Sequence, residues 1–315
     1  MKLIIQIPCL NEEESLPKTL QDLPKQIPGI SSIEILIIDD GSTDRTVAVA
    51  KQHGAHHIVH FAKQRGLARA FGAGLDASLK AGADIIVNTD ADNQYKGEDI
   101  ARLVHPILQG QADMVIGNRD IENVEQFSWI KKRLQRLGTR VIRHLSGTNI
   151  ADATTGFRAY NREAAMKLNI ISDYTYTLES IIQAEHKNIA IANITISTNR
   201  VERKSRLFRS IPEYIKRSVM TILRIYSMFN PFRLFLTIGS FVIMIGTLIG
   251  CRFLFYYLIG QGGGKIQSLI LAAALFIIGF QILIIGLVAD LISANRRLIE
   301  DVLLRVKKIE LSSKG

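Results

Sequence analysis

Only two cysteines occur among the 315 residues, Cys9 at the end of one apolar run and Cys251 inside another. No disulfide framework or cysteine-ligated metal cluster is therefore available. No internal repeat and no low-complexity tract punctuates the chain, which excludes solenoids and repeat arrays. Met1 leads directly into the strand-like LIIQI, so no secretory leader is expected. Acid is in short supply: 29 Asp and Glu face 39 Lys and Arg, a net charge of +10. The basic residues gather beside long apolar runs, and no aromatic-rich motif accompanies them, so nucleic acid is not an expected partner. Charge is missing altogether from Ile266 to Ala289.

That run and the one from Arg233 to Ile259 are each long enough to cross a hydrocarbon layer of about 30 Å as a helix. The connector GQGGGK is short and glycine-rich, so the two spans read as an antiparallel hairpin. Arg252 falls about 27 Å along the first span, at the far interface, where its head can snorkel beside FLFYY. Lys216, Arg217, Arg224 and Arg233 precede the hairpin, and Arg296, Arg297, Arg305, Lys307 and Lys308 follow it. Only Arg252 and Lys265 lie between. This asymmetry predicts an integral protein of the cell (inner) membrane with both termini cytoplasmic. Gly246 and Gly250 have the spacing of a helix-packing face, although plain small-residue spacing reads the same way.

The first two hundred residues alternate strand and helix. LIIQI (3–7), IEILIIDD (33–40), HHIVHF (56–61) and ADIIVNTDAD (83–92) read as strands. NEEESLPKTLQDL (11–23), a helix opening on the Ser and Thr of GSTDRT, and RGLARAFGAGLDASLKAG (65–82) lie between them. The alternation predicts a parallel sheet with helices on both faces, and ligands gather at the carboxyl ends of such strands. Three of those ends read PCLNEE, DDGSTD and DADNQ. Asp90 and Asp92, two apart in an extended segment, share a face and repel each other unless a cation lies between them. Mg2+ or Mn2+ suits such oxygen ligands and leaves room for phosphates. A polar turn closing the strand is the alternative. Two other signals are set aside: the glycines of GAGLDA lie within a helix instead of opening one, and His53, His56, His57 and His60 lack partner ligands and read as edge residues.

IPCLNEEESLP, IIDDGSTDRT, TDADNQY, TTGFRAYNREA and YTLESIIQAEHKN, in that order, resemble the inverting glycosyltransferases of family 2. The likeness is to the polyprenyl-phosphate branch that includes dolichol-phosphate-mannose synthases. It implies a GT-A α/β domain over 1–208, an interfacial amphipathic helix over 209–230, and a two-helix anchor over 231–295 (spans 233–259 and 266–292). A basic cytoplasmic tail would occupy 296–315. By position, the resemblance places Pro8, Leu10, Glu12, Ile38, Asp40, Asp90, Ala91 and Arg119 around the nucleotide-sugar. It gives Asp90, Asp92 and Gln94 to the metal, and Arg158, Arg200, Arg203, Ser205 and Arg206 to the acceptor phosphate. Asp92, Arg119 and Glu179 would serve the reaction, Glu179 by positioning. Leu10 stands where the family commonly has Tyr, which removes a stacking ring, and Arg203 replaces a family Gly.

The segment SIPEYIKRSVMTILRIY aligns Ile211, Ile215, Val219, Ile222 and Tyr226 on one helical face against a basic face, the pattern of a helix lying in a membrane interface. The resemblance implies transfer of a sugar from a UDP- or GDP-sugar to a polyprenyl phosphate, and similar proteins include tetramers. An acceptor such as diacylglycerol or ceramide would need a base, for which Glu179 or Asp152 are the candidates. A non-catalytic nucleotide-sugar-binding module is the third reading. A processive polysaccharide synthase lacks support, since there is no Q-x-x-R-W segment.

Overall fold

The computed structural model describes residues 1–119, 138–140, 143, 150–171, 175–199 and 211–313, with the backbone alone over 211–218. The chain divides into two compact units, Met1–Ile222 together with the residues from Val306, and Leu223–Arg305.

In the first unit β1 (Lys2–Cys9), β2 (Ser32–Asp39), β3 (His57–His60), β4 (Ile85–Asn88), β5 (Met114–Arg119), β6 (Arg158–Asn161) and β7 (Ile191–Ile196) form one sheet in the order β3-β2-β1-β4-β6-β5-β7. The four strands read from the sequence, β1 to β4, pair in parallel as expected, and β5 runs parallel to β7. β6 runs antiparallel to both β4 and β5, with Asn88 opposite Arg158 and Ile116 opposite Arg158. The pairing crosses many residues of sequence, so strand–helix alternation carries no sign of it.

Helices cover both faces, as expected. Leu3, Ile5, Ile7 and Cys9 point to one side, where Leu16 and Leu20 of α1 (Leu16–Asp22) and Ile100, Leu103 and Val104 of α4 (Asp99–Leu108) close the core. Gln6 and Ile38 point the other way, toward α3 (Leu67–Lys80). A Cβ on Gly74 of α3 would stand 2.6 Å from Gln6 Oε1 and 2.9 Å from Ile38 Cδ1, so this close approach requires glycine. The short helices α2 (Thr46–Gln52) and α5 (Arg162–Lys167) and the longer α6 (Tyr176–His186) complete the layers.

Two helix starts differ from expectation. Residues 11–15 are not helical: Asn11 takes φ 54°, and the amides of Glu12 and Glu13 donate to Thr46 Oγ1 (2.8 Å) and Asp44 Oδ2 (3.1 Å). The start of α2 is served by Asp44, whose Oδ1 accepts from the Thr46 amide at 2.9 Å, while Ser42 and Thr43 bond to Asn11 instead. The two strand-end loops are thereby stapled together, which spends the residues that sequence reasoning gave to the helices.

Helix α7 (Ile211–Phe229) is helical as predicted, with Val219 and Met220 exposed. The side chains of Ile211 and Ile215 lie outside the described residues. At Asn230 the chain turns into α8 (Pro231–Leu258), where proline forbids helical continuation from the preceding residue. A glycine turn, Gly262–Gly264, leads into α9 (Ile266–Ser312). Both α8 and α9 are long and apolar enough to cross a membrane. The second does not end where the expected tail begins but continues as one helix through 296–312.

Within Leu223–Arg305 the packing seam is made of small residues. Ala272, Gly279, Gly286 and Ser293, spaced by seven, are the buried positions of α9, and Gly239 and Gly246 are buried on α8. A Cβ on Gly279 would meet Ile243 Cγ1 at 2.5 Å. Gly246 of the expected Gly246/Gly250 pair sits in this seam, a Cβ on it reaching Leu275 at 3.2 Å, whereas Gly250 has looser surroundings. Phe241, Leu248, Ile277, Phe280 and Leu291 are exposed on the outside. Near the glycine turn, Lys265 Nζ lies 3.7 Å from the centre of the Tyr256 ring and the Arg252 guanidinium 5.9 Å from it.

Candidate active site

The carboxyl ends of β1, β2 and β4 lie side by side, because Pro8 pairs with Ile38 and Gln6 pairs with Asn88. Pro8 and Leu10 are half-buried there. The Ile38 side chain is wholly buried against α3, so it supports this end from beneath. Glu12, also buried, accepts from Ser15 Oγ at 2.5 Å. The Asp40 carboxylate already receives two backbone donors, Arg65 N at 2.7 Å and Gly66 N at 2.9 Å, which fix the entry to α3. Gly41 beside it has φ 79°, and a Cβ would strike the Lys63–Gln64 backbone at 2.7 Å. Asp39 is engaged as well, with its Oδ2 2.6 Å from His60 Nδ1.

Asp90 and Asp92 follow β4 directly. Asp92 Oδ1 accepts from the Gln94 amide at 3.1 Å, Asn93 adopts φ 54°, and the Ala91 carbonyl accepts from Thr19 Oγ1 at 2.9 Å. This tight turn is stapled to the exit of β7: Asn199 N donates to the Gln94 carbonyl at 2.8 Å and Asn199 Nδ2 to that of Asn93 at 3.0 Å. Burial, and then the charge of Asp92, push the Asp90 carboxyl up to about 7. Two carboxylates in this condition have much to gain from a cation. Among the described residues no group of three or more His, Cys, Asp or Glu could hold a metal. Asp90 and Asp92 offer hard carboxylate oxygens, a donor type that suits Mg2+ or Mn2+ better than zinc, and Gln94 follows them in the same turn.

Arg119, at the end of β5, forms a buried two-pronged pair with Asp152, Nε to Oδ2 at 2.7 Å and Nη2 to Oδ1 at 3.2 Å, and bonds Thr154 Oγ1 at 2.7 Å. The electrostatic neighbours of Arg119 include Asp90 and Tyr95, so it belongs to the same site. Burial would raise the Asp152 carboxyl, but Arg119 overrides that and holds it below the usual carboxylate range. Tyr95 is buried, and its phenol is raised by burial and by the charge of Asp90.

Two expected residues stand elsewhere. Arg158 is fully buried, and its guanidinium is spent on the carbonyls of Thr155 (2.8 Å), Thr177 (2.9 Å) and Ala153 (3.0 Å) and on Ser180 Oγ (2.7 Å). It ties β6 to α6 and is not placed to take an acceptor phosphate. Glu179 is buried on α6, where its Oε1 accepts from the Ile171 amide at 3.0 Å and from Gln183 Nε2 at 3.2 Å. Arg200, Arg203, Ser205 and Arg206 lie outside the described residues.

Sequence reasoning overlooked the backing of Asp90. A Cβ on Gly156 would come within 2.9 Å of Asp90 Oδ1 and 2.7 Å of the Tyr176 hydroxyl, so the glycine in TTGF is there for room. Asn88 Nδ2 donates to the Gly156 carbonyl and to the Tyr176 hydroxyl, both at 2.9 Å, and Tyr176 stacks on Phe71 at 3.8 Å. The motif TTGFRAY carried the signal, but it was read for its arginine.

The family model for glycosyl transferase family 2 matches residues 4–168, more than half of the chain. Polyprenol monophosphomannose synthase of Mycolicibacterium smegmatis is 29% identical over 62% of this chain and 76% of that protein. UDP-N-acetylglucosamine–dolichyl-phosphate N-acetylglucosaminyltransferase of Methanococcus voltae is 28% identical over 61% and 83%. Among solved structures, glucosyl-3-phosphoglycerate synthase of Mycobacterium tuberculosis with Mn2+, UDP-glucose and phosphoglyceric acid superposes with a TM-score of 0.58 at 20% identity, covering 72% of this chain and 80% of that one. That likeness concerns the fold.

Proposed function

The chain belongs to glycosyl transferase family 2, and from that premise we propose that it moves a sugar from a nucleotide-sugar to a polyprenyl phosphate at the cytoplasmic face of the membrane. Both relatives above are named for lipid-phosphate acceptors, one for mannose and one for N-acetylglucosamine, so the sugar and the base are questions for a donor panel. Asp90, Asp92 and Gln94 would hold Mg2+ or Mn2+, which supplies charge neutralisation for the departing nucleoside diphosphate. Pro8, Leu10, Glu12, Ile38, Asp40 and Ala91 frame the nucleoside side, and Arg119 adds positive charge beside Asp90.

One observation carries the choice of acceptor. The two carboxylates named above as candidate bases for a hydroxyl are both engaged, Asp152 with Arg119 and Glu179 with the Ile171 amide and Gln183. A phosphate acceptor needs neither, since it is already an anion and attacks the anomeric carbon once it is oriented. Direct displacement on that carbon inverts its configuration. Arg200, Arg203, Ser205 and Arg206 are proposed to receive the acceptor phosphate, the guanidinium fork matching its oxygens.

The test is organic-extractable label from a panel of UDP- and GDP-sugars, with undecaprenyl phosphate, undecaprenol or diacylglycerol as acceptor and Mg2+ or Mn2+ present. Transfer only to the lipid phosphate is the expected outcome. Transfer to a hydroxyl lipid overturns the acceptor reading, and failure to bind any nucleotide-sugar overturns the donor reading too.

A further inference from the structure

Past its apolar span α9 continues through a stretch in which eight of the fifteen residues from Arg296 to Glu310 are charged. Charge at that density keeps the stretch out of hydrocarbon. Large apolar side chains nonetheless stand open on it, with Ile299, Val302, Val306 and Ile309 52–67% exposed. Together with Ile292 and Asn295, also exposed, they recur at alternating steps of three and four, a seven-residue repeat along one helical face. The chain's own packing uses another face of the same helix. The buried line Ala272, Gly279, Gly286 and Ser293, extended by sevens, reaches Glu300 and Lys307. Both are largely covered: Glu300 pairs with Arg296 at 3.6 Å, and Lys307 pairs with Asp76 at 3.6 Å and donates to Asn169 Oδ1 at 3.2 Å.

We infer that this stripe is a seam between copies of the chain, α9 of one copy lying parallel to, and in register with, α9 of a second. The inference goes beyond the transfer reaction and rests on α8 and α9 spanning the membrane, which inserts every copy the same way round and makes the pairing parallel. Between Gly286 and Ser312 there is neither proline nor glycine to bend α9, so the stripe leads away from the bilayer instead of lying on it. In a parallel pair, a residue flanking the seam faces the residue five further along on the other helix. Leu298 of one copy then meets Leu303 of the other, and Arg305 meets Glu310, an apolar pair and a pair of opposite charge. All four are exposed. The ion pairs that these two charges make within one chain, Arg305 with Asp301 and Glu310 with Lys80, lie in solvent and hold them weakly. Asn295, the polar residue of the stripe, fixes the register, since a slip would set its amide against isoleucine or valine.

The test uses the full chain. With Cys251→Ser as background, buried Cys9 is the remaining native thiol. On mild oxidation in membranes, Val302→Cys is expected to form a disulfide-linked dimer, and Lys308→Cys, off the stripe, is expected to stay single. In detergent, the protein mass from light scattering is expected to exceed one chain, and Ile299→Lys combined with Val302→Lys to bring it down to one chain. Arg305→Glu sets like charges against each other across the seam and is expected to weaken association about tenfold, and adding Glu310→Arg to restore it. A single-chain mass for the wild type, or an oligomer that survives the paired lysines, overturns the inference. Equal cross-linking at both cysteines overturns it as random collision, and a double charge variant no better than Arg305→Glu overturns the parallel register. If Val302→Cys in membranes neither cross-links nor reacts with a water-soluble maleimide, lipid covers the stripe and the inference fails. Release of the chain by an alkaline carbonate wash overturns the spanning reading and this inference together.

Discussion

The two units of the chain use their residues in opposite senses. In Met1–Ile222 most isoleucines and leucines of the sheet are buried, and charged groups buried with them form specific pairs such as Arg119–Asp152. In Leu223–Arg305 most of the large apolar side chains of α8 and α9 face outward, and the buried positions of α9 are glycine, alanine and serine. The first pattern is what water imposes on a domain, and the second is what hydrocarbon allows, where burial of leucine gains little and close backbone approach gains more. The chemistry accordingly resides in the first unit, where a dry polar pair is expensive and therefore specific.

Breaking a buried pair tests that contrast hardest. Asp152→Ala leaves Arg119 buried without its carboxylate and is expected to destabilise the α/β unit by about 3–5 kcal/mol, seen as a large drop of its denaturation midpoint. Next in size, Asp92→Asn removes one charge from the proposed metal pair and is expected to lower kcat/KM on the order of 100-fold with the fold intact by circular dichroism. In the hairpin the sensitive change is small to large. Gly279→Ala sets a Cβ 2.5 Å from Ile243 and is expected to cost about 1–3 kcal/mol in a detergent thermal melt, whereas outward-facing Leu291→Ala leaves that melt unchanged.

A further expected effect is electrostatic and follows pH. Asp90 holds its proton up to about 7 in the folded protein, through burial and Asp92, whereas in the unfolded chain it releases it near 4, about the reference value. Between those values the native state binds more protons, so stability without metal falls as pH rises from about 4 to about 7 and then levels off. The difference between wild-type and Asp90→Asn thermal midpoints in a chelator, followed across that window, should show this slope. A flat difference would mean that Asp90 is ionised throughout.

Much of this was legible in the sequence, and what was not has a common cause. The strand ends, the aspartate pair and the hairpin are local signals, a few residues in apolar periodicity. The antiparallel course of β6 depends on contacts between distant segments and leaves no local trace. The family resemblance gives Arg158 to the acceptor phosphate by motif position alone. Its neighbours Phe157, Ala159 and Tyr160 are fully buried, and that apolar setting was the better guide. The first helix starts late because Asn11 and Glu12 bond to residues 42–46, again a distant partner. Gly156 went unnoticed because it serves Asp90 by leaving room, not by charge.

The most direct test of the central claim is the linkage in the lipid product. Product made from a donor labelled with carbon-13 at C1 and undecaprenyl phosphate would be examined by carbon and phosphorus magnetic resonance. The account predicts C1 coupled to phosphorus, with anomeric configuration opposite to that of the donor. A C1 attached to a lipid hydroxyl oxygen, or one that retains the donor configuration, would contradict it.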